Sequence, residues 1–204
     1  MERWDIINFL IKKFSYKRYL EIGVDSGVCF SKIVIETKES VDPATGKYSN
    51  ANPTYRMTSD EFFDQNDQCF DIIFIDGLHH SEQVDKDIKN SLSVLNNNGV
   101  ILIHDANPVT EYSQRVPRPG NGTPSLLPYG WSGDVWKSIV KFRSKNKNYT
   151  CLTLKTLKEP GISIIYKKDT DCIIDLPNTL TYEWLDLNRD FLLNIIEDIN
   201  LINT

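Results

Sequence analysis

No apolar run in the 204 residues approaches the ~18–20 positions that a bilayer crossing requires. The opening segment, Met1 to Phe14, spaces acids and bases through its apolar residues, so neither a signal sequence nor a membrane anchor is expected and the protein reads as cytoplasmic. Cysteine is sparse. Cys29, Cys69, Cys151 and Cys172 form no C-x-x-C pair and no metal-finger spacing, which argues against a disulfide framework and agrees with a reducing compartment. The sequons at Asn121 and Asn148 would matter only on a secreted chain. Positive charge is also short: 23 Lys and Arg against 28 Asp and Glu leave a net charge of −5, which disfavours broad contact with nucleic acid or an anionic membrane. Lys137, Lys141, Arg143, Lys145 and Lys147 are a local exception and read as a solvated helix face with its trailing loop. Internal repeats and dividing linkers are lacking as well, so one domain spanning 1–204 is expected.

What is present is an alternation of helix and strand patterns. Trp4, Ile7, Phe9, Leu10 and Ile11 suggest a short amphipathic helix; Arg18 to Ile22 reads as a first strand, and a turn from Gly23 to Gly27 feeds a helix through about Glu36. Ser40 to Asp42 is a short second strand stopped by Pro43, Thr54 to Met57 a third, and Ser59 caps the next helix. Phe70 to Ile75, nearly all apolar, fits a strand buried on both faces. Val84, Ile88, Leu92 and Leu95 make one face of a helix over 81–95 that Asn96 to Gly99 ends, and Val100 to His104 follows as a strand with Asp105 at its carboxyl end. A helix near Val135 to Phe142, a hairpin of Cys151–Leu154 and Ile162–Tyr166, and a tail helix over about 182–199 complete the pattern. This order predicts an α/β fold: a Rossmann-like doubly wound sheet, mostly parallel with a reversed final strand, binding its ligand at the strands' carboxyl ends.

Glu21-Ile22-Gly23-Val24-Asp25-Ser26-Gly27 puts an acid at a strand end and glycines where the backbone must turn close to a ligand. It is not the dinucleotide fingerprint G-x-G-x-x-G, and no P-loop occurs in the chain. Carboxylates at 21 and 25 oppose a pyrophosphate and suit a ligand with cationic centres. Asp42 is placed either to accept from ribose hydroxyls or to make a simple turn with Pro43. Together with Phe70-Asp71-Ile72-Ile73-Phe74-Ile75-Asp76-Gly77-Leu78-His79-His80, then Asp87, Leu92, Leu95, Gly99 to Asp105, and Gly133 to Lys137, this motif resembles the class I S-adenosylmethionine-dependent methyltransferases. The likeness, over about residues 18–145, is greatest to a small family grouped with macrocin and related sugar O-methyltransferases. It implies strand order 3-2-1-4-5-7-6, with the hairpin supplying the reversed strand, S-adenosylmethionine as donor and S-adenosylhomocysteine as product. By the same resemblance Glu21, Gly23, Asp25 and Gly27 would stand at the methionine end and Asp42 at the ribose. Thr58 and Ser59 would lie near the adenine, and Asp76 would join the donor site. Ser59 serves equally well as a plain helix cap.

All three histidines, His79, His80 and His104, follow or end the two central strands. Transfer to oxygen needs a base near neutral pH, and His79, with Asp76 beside it, is the first choice. In metal-assisted members of the family, acids at these two strand ends hold a divalent cation, and Asp76 and Asp105 match that pair. Ala106 stands where the family offers another acid or amide, so Mg2+ dependence stays open unless Asn107 or water replaces it. Asp76 and Asp105 could instead cap loops, and His80 and His104 could simply pack. The Pro/Gly-rich segment over about 108–133 is placed to cover an acceptor, with His80, Asn107, Arg118 and Trp131 to meet it and Arg115 nearby. These residues suit an anionic or glycosyl partner, so O-methylation of a saccharide or small-metabolite hydroxyl is expected, with no membrane or nucleic-acid partner and homo-oligomerisation open. Two other readings stand beside it: an NAD(P)-dependent oxidoreductase, and a non-catalytic module that binds the donor.

Overall fold

The computed structural model describes residues 1–45, 52–116, 130–171 and 174–204. Its strands are β1 (Arg18–Ile22), β2 (Thr37–Val41), β3 (Phe70–Ile75), β4 (Leu95–Ile103), β5 (Tyr149–Leu154), β6 (Ile162–Lys167) and the two-residue β7 (Ile195–Ile196). They join in one sheet of order β2-β1-β3-β4-β6-β5-β7. The first four pair in parallel, β6 runs antiparallel to both β4 and β5, and β7 runs parallel to β5. Helices α1 (Arg3–Phe14), α2 (Val28–Lys32), α3 (Ser59–Gln65), α4 (Ser81–Ser93), α5 (Val135–Lys145) and α6 (Tyr182–Leu193) cover the sheet. The doubly wound, mostly parallel architecture read from the sequence is the one the chain forms. Among the described residues no helix is long and apolar enough to cross a membrane.

Period-two alternation along β3 sends Ile72 and Phe74 to one face and Ile73 and Ile75 to the other. The first face buries Ile6, Ile7 and Leu10 of α1 with Cys29 of α2. The second buries Phe62 of α3, Val84 and Ile88 of α4, Trp136 and Ile139 of α5, and Leu192 and Leu193 of α6. Cover on both faces is why β3 reads as a continuous apolar run. The ladder also fixes where the chemistry can stand. Ile22 pairs with both Val41 and Ile75, and Ile75 pairs with Ile103, so Gly23, Asp42, Asp76 and His104 begin one row beyond the sheet's carboxyl edge.

Several elements differ from the sequence reading. Thr54–Met57 is not a strand but a single parallel bridge, Val41 to Tyr55. The Thr54 hydroxyl takes the Ser40 amide at 3.1 Å, and helix α3 opens at once, leaving no length for a ladder. The helix expected to reach Glu36 stops at Lys32, where the β-branched Ile33-Val34-Ile35 begins and Ile33 is already extended. The tail helix ends at Leu193 because Asn194 adopts a left-handed cap with φ 50°, and Ile195–Ile196 then joins the sheet. Asn96 to Gly99 lies within β4. Asn96 donates to Asp71, whose other oxygen accepts from the amides of Lys17 and Arg18. The basic run is no continuous patch: Lys137 pairs with Asp134 at 3.1 Å, Lys141 with Asp85 at 3.0 Å, and Arg143 is buried against the carbonyls of Phe191 and Leu192 at the end of α6.

Because Phe74 is fully buried between strand and helix, Phe74→Ala should cost ~3–5 kcal/mol of stability in urea denaturation. Leu187→Ala, at a position 78% exposed on α6, should stay within ~0.5 kcal/mol of the parent. Similar losses at the two sites would contradict the assigned core.

Candidate active site

The turn after β1 is built by close approach. Gly23 has φ 87°, and a Cβ there would stand 2.1 Å from the Asp76 carbonyl oxygen, so only glycine lets the ends of β1 and β3 meet. Asp42 holds the turn: one carboxylate oxygen accepts from the amides of Val24 at 2.8 Å and Asp25 at 3.3 Å, the other from Ala44 at 2.6 Å. Beside it opens a cavity of about 420 Å³, walled by Gly23, Asp25, Val41 and Asp42, by Thr58, Ser59 and Asp60, by Asp76, Gly77 and Leu78, and by Gln83 and Asp87. Thus Gly23, Asp25, Asp42, Thr58, Ser59 and Asp76 come together on one cavity, whereas Glu21 and Gly27 do not line it. Glu21 shares its strand face with Tyr19, whose hydroxyl donates to its carboxylate in the interior. Burial, reinforced by the Asp76 charge, pushes Glu21 up to about 7.

The cap of α3 is Thr58, not Ser59. The Thr58 hydroxyl accepts from the Glu61 amide at 3.2 Å, and the Glu61 carboxylate accepts from the Thr58 amide at 2.8 Å, a complete capping box. Ser59 is left to face the cavity. Gln83, which the sequence reading passed over, lies with its amide nitrogen 3.2 Å from the Ser59 hydroxyl, 2.9 Å from Asp60 and 3.1 Å from Asp87. Gln83 and Asp87 are four residues apart on one face of α4, a spacing that was visible in the sequence beside Val84 and Ile88. Burial raises the Asp87 carboxyl above its ordinary range.

Around Asp76, six ionisable side chains converge. His79 Nε2 lies 3.2 Å from Asp76 Oδ1, and its Nδ1 lies 3.1 Å from Asp105 Oδ2. That Nδ1 is buried yet lacks a hydrogen-bond alignment. His104 Nδ1 is 3.0 Å from Asp105 and 3.2 Å from Asp76, while its Nε2 reaches Glu159 at 2.8 Å. Arg3, at the start of α1, places Nη1 2.5 Å from Asp76 Oδ2 and Nη2 3.2 Å from Glu159. Against the desolvation that burial imposes, Asp105 and Asp76 raise both imidazoles above their ordinary value, His104 strongly. Against the same desolvation, the two histidines hold Asp76 well below the usual carboxylate range, and His104 with Arg3 lowers Glu159. Arg3 and Glu159 are absent from the sequence reading. They are 156 residues apart, and no local pattern links a helix start to a hairpin turn.

The residues expected to meet an acceptor are partly described. Trp131 stacks on His79 with ring centroids 5.2 Å apart and meets His80 edge-on at 6.2 Å, and its indole N–H donates to the Arg115 carbonyl. The Asn107 side-chain oxygen accepts from Arg189 at 2.6 Å. The ligand atoms of Asp76, His79 and Asp105 lie within 4.8 Å of one another. Arg118 lies outside the described residues, as does the rest of 117–129.

Residues 20–106 match the family model described as a methyltransferase domain. The chain has the class I methyltransferase fold. The O-methyltransferase of Bacillus cereus in complex with SAH is 14% identical, with a TM-score of 0.56 over 81% of this chain and 80% of that one. The O-methyltransferase TomG of Streptomyces achromogenes, in complex with SAM, is 12% identical with a TM-score of 0.57 over 81% and 79%. SAH-bound PaMTH1 of Podospora anserina is 19% identical with a TM-score of 0.53 over 82% and 78%. No curated protein matches the sequence. In class I order the reversed strand is β6, the third position is reduced to the Tyr55 bridge, and β7 is added at the far edge.

The buried Glu21 gives a pH test. Its folded value is raised, so its protonated form stabilises the fold, fully below the ordinary value of 4.5 and progressively less as pH rises through about 7. Glu21→Gln should therefore be more stable than the parent by about 1–3 kcal/mol at pH 8, with the difference fading toward pH 4 in urea titrations. A difference independent of pH would refute the buried-acid assignment.

Proposed function

We propose that the protein transfers the methyl group of S-adenosylmethionine to a hydroxyl oxygen of a small-molecule or saccharide acceptor. The observation that carries this reading is the continuity of the cavity with the ionised cluster. A pocket walled by the glycine turn, Asp42 and Ser59 also has Asp76 in its wall, and Asp76 touches His79. In that arrangement Gly23 admits the donor's methionyl end to the backbone. Asp42, three of whose roughly four lone-pair directions are taken by backbone amides, keeps one for a ribose hydroxyl. Ser59, Asp60 and Gln83 offer both donors and acceptors to a base edge. The same-fold O-methyltransferases and the matched domain support the reaction class; the sequence resemblance to sugar O-methyltransferases supports the acceptor class.

Displacement at the methyl carbon needs the acceptor oxygen held in line, with its proton removed as the bond forms. His79 is the base in this reading, and the imidazolium that results is stabilised by Asp76 on one side and Asp105 on the other. Trp131 stacks on the ring and covers one face of it. The same residues fit a divalent cation: two carboxylates and an imidazole whose buried Nδ1 has no aligned partner. Asp76, Asp105 and His79 would hold it, and it would supply acidification of the acceptor hydroxyl, leaving His79 as ligand rather than base.

The donor reading is tested by calorimetry with S-adenosylhomocysteine, with and without Mg2+. A Kd on the order of micromolar is expected, against no measurable binding of NADH; the reverse preference would move the oxidoreductase reading to the front. For the base, kcat should rise with pH through a value above 6.5, because His79 must be neutral to accept a proton and its neighbours hold the proton on. His79→Ala should lower kcat ~10²–10⁴-fold and flatten that limb. An unchanged pH profile would remove His79 from the proton transfer.

A further inference from the structure

Arg3 pairs with Asp76, a residue of the cavity wall, and has part of its hydrogen-bonding capacity unused. A guanidinium carries five N–H donors. Nε donates to Glu159 Oε1 at 3.3 Å, Nη2 pairs with Glu159 Oε2 at 3.2 Å and Nη1 donates to Asp76 Oδ2 at 2.5 Å. The Arg3 amide also donates to Glu159, at 3.1 Å, which fixes the start of α1 against the hairpin turn. One N–H on each terminal nitrogen is left without a partner among the described residues, and the side chain keeps 29% exposure. Two donors on a rigid planar group are what a carboxylate accepts bidentately.

The neighbour decides which carboxylate. Asp76, the ion-pair partner of Arg3, lines the cavity, so a ligand end that reaches Asp76 comes within one side chain of the guanidinium. That pair complements an α-amino acid zwitterion, with its ammonium toward Asp76 and its carboxylate toward the guanidinium. Fixing both partners in advance through Glu159 removes much of the ordering cost of recognition. We propose that Arg3 binds the α-carboxylate of the donor's methionyl end and selects amino-acid-bearing adenosyl thioethers over truncated ones. The assignment rests on the donor reading above. A counter-ion serving only Asp76 and Glu159 would confer no such preference.

The test uses calorimetry on the full chain with S-adenosylhomocysteine and with its decarboxylated analogue, the same thioether with hydrogen in place of the carboxylate. Arg3→Met should weaken the first ~10–100-fold and leave the second within about twofold. Arg3→Lys, which keeps the charge but not the fork, should fall between. Retained binding of the analogue certifies that the variant's pocket is folded. Equal losses on both ligands, or no loss on either, would overturn the assignment and leave Arg3 a structural counter-ion. Failure of the unaltered protein to bind either ligand would instead bring down the donor reading, and this one with it.

Discussion

Parallel pairing of Ile22 with Val41 and Ile75, and of Ile75 with Ile103, sets four strand ends level. A one-residue slip in a parallel ladder would send every side chain to the opposite face, and here each face is packed against its own set of helices. The level edge is therefore enforced by the core, far from the residues it positions. Gly23 and Asp42 shape the cavity just beyond that edge, Asp76 lines it, and His104 and Asp105 continue the row toward the reversed strand. There the antiparallel entry of β6 brings Glu159 and Gly161 to the same edge; the Gly161 carbonyl accepts from Ala106 and the Pro160 carbonyl from Asn107.

Concentrating three carboxylates at one edge of a sheet carries a cost that only neighbouring cations can offset. Asp105 and Glu159 are almost fully buried, and Asp76 is largely so, where like charges repel far more strongly than in water. Arg3, His79 and His104 interleave with them so that each carboxylate touches at least one cationic or protonatable nitrogen. Such a network contributes little net stability, since desolvation consumes most of the Coulombic gain, but deleting one member leaves the others uncompensated. In the proposed reaction what it would supply is preorganisation: dipoles and charges already aimed where a proton must leave and charge must shift.

The parts of this arrangement carried by short-range pattern were legible in the residues. Arg18–Ile22 and Phe70–Ile75 are strands with the limits their apolar runs suggest, and Gly23, Asp42 and Asp76 stand on the cavity as their positions after strands imply. Where two local rules competed, a further residue was needed to rank them. Thr58 and Ser59 are both good caps, and Glu61, three residues beyond Thr58, decides between them. Glu21 is adjacent to the glycine turn, yet strand alternation turns its side chain to the α1 face beside Tyr19, away from the cavity. Thr54–Met57 has strand-like residues but lies between a one-residue bridge and a helix start. Arg3 and Glu159 show the opposite limit: each looks ordinary in its own segment, a helix start and a hairpin turn. Their pairing exists only once the sheet has brought the two ends of the chain together.

Backbone strain at the cluster ties the segment from Trp131 to Asp134 to His79. His79 has φ 59° and Asp105 φ 58°, left-handed conformations that cost a non-glycine residue about 1–2 kcal/mol and persist only where surroundings over-determine them. For His79 the determinant is the segment after Trp131. Its carbonyl accepts from the Asp134 amide at 3.2 Å, and Gly133 packs so closely that a Cβ would fall 1.9 Å from that carbonyl oxygen. The next helix depends on the same acid: His80, the residue before α4, provides no side-chain cap, and Asp134 instead accepts from the Ser81 amide at 2.7 Å and its hydroxyl at 3.1 Å. Trp131, three residues earlier, stacks on the His79 ring. Backbone, ring and helix start are thus held by one short stretch of chain. In the proposed reaction an acceptor that displaces Trp131 would act on the stretch that fixes the orientation of the imidazole, so substrate contact and base alignment would be mechanically one event.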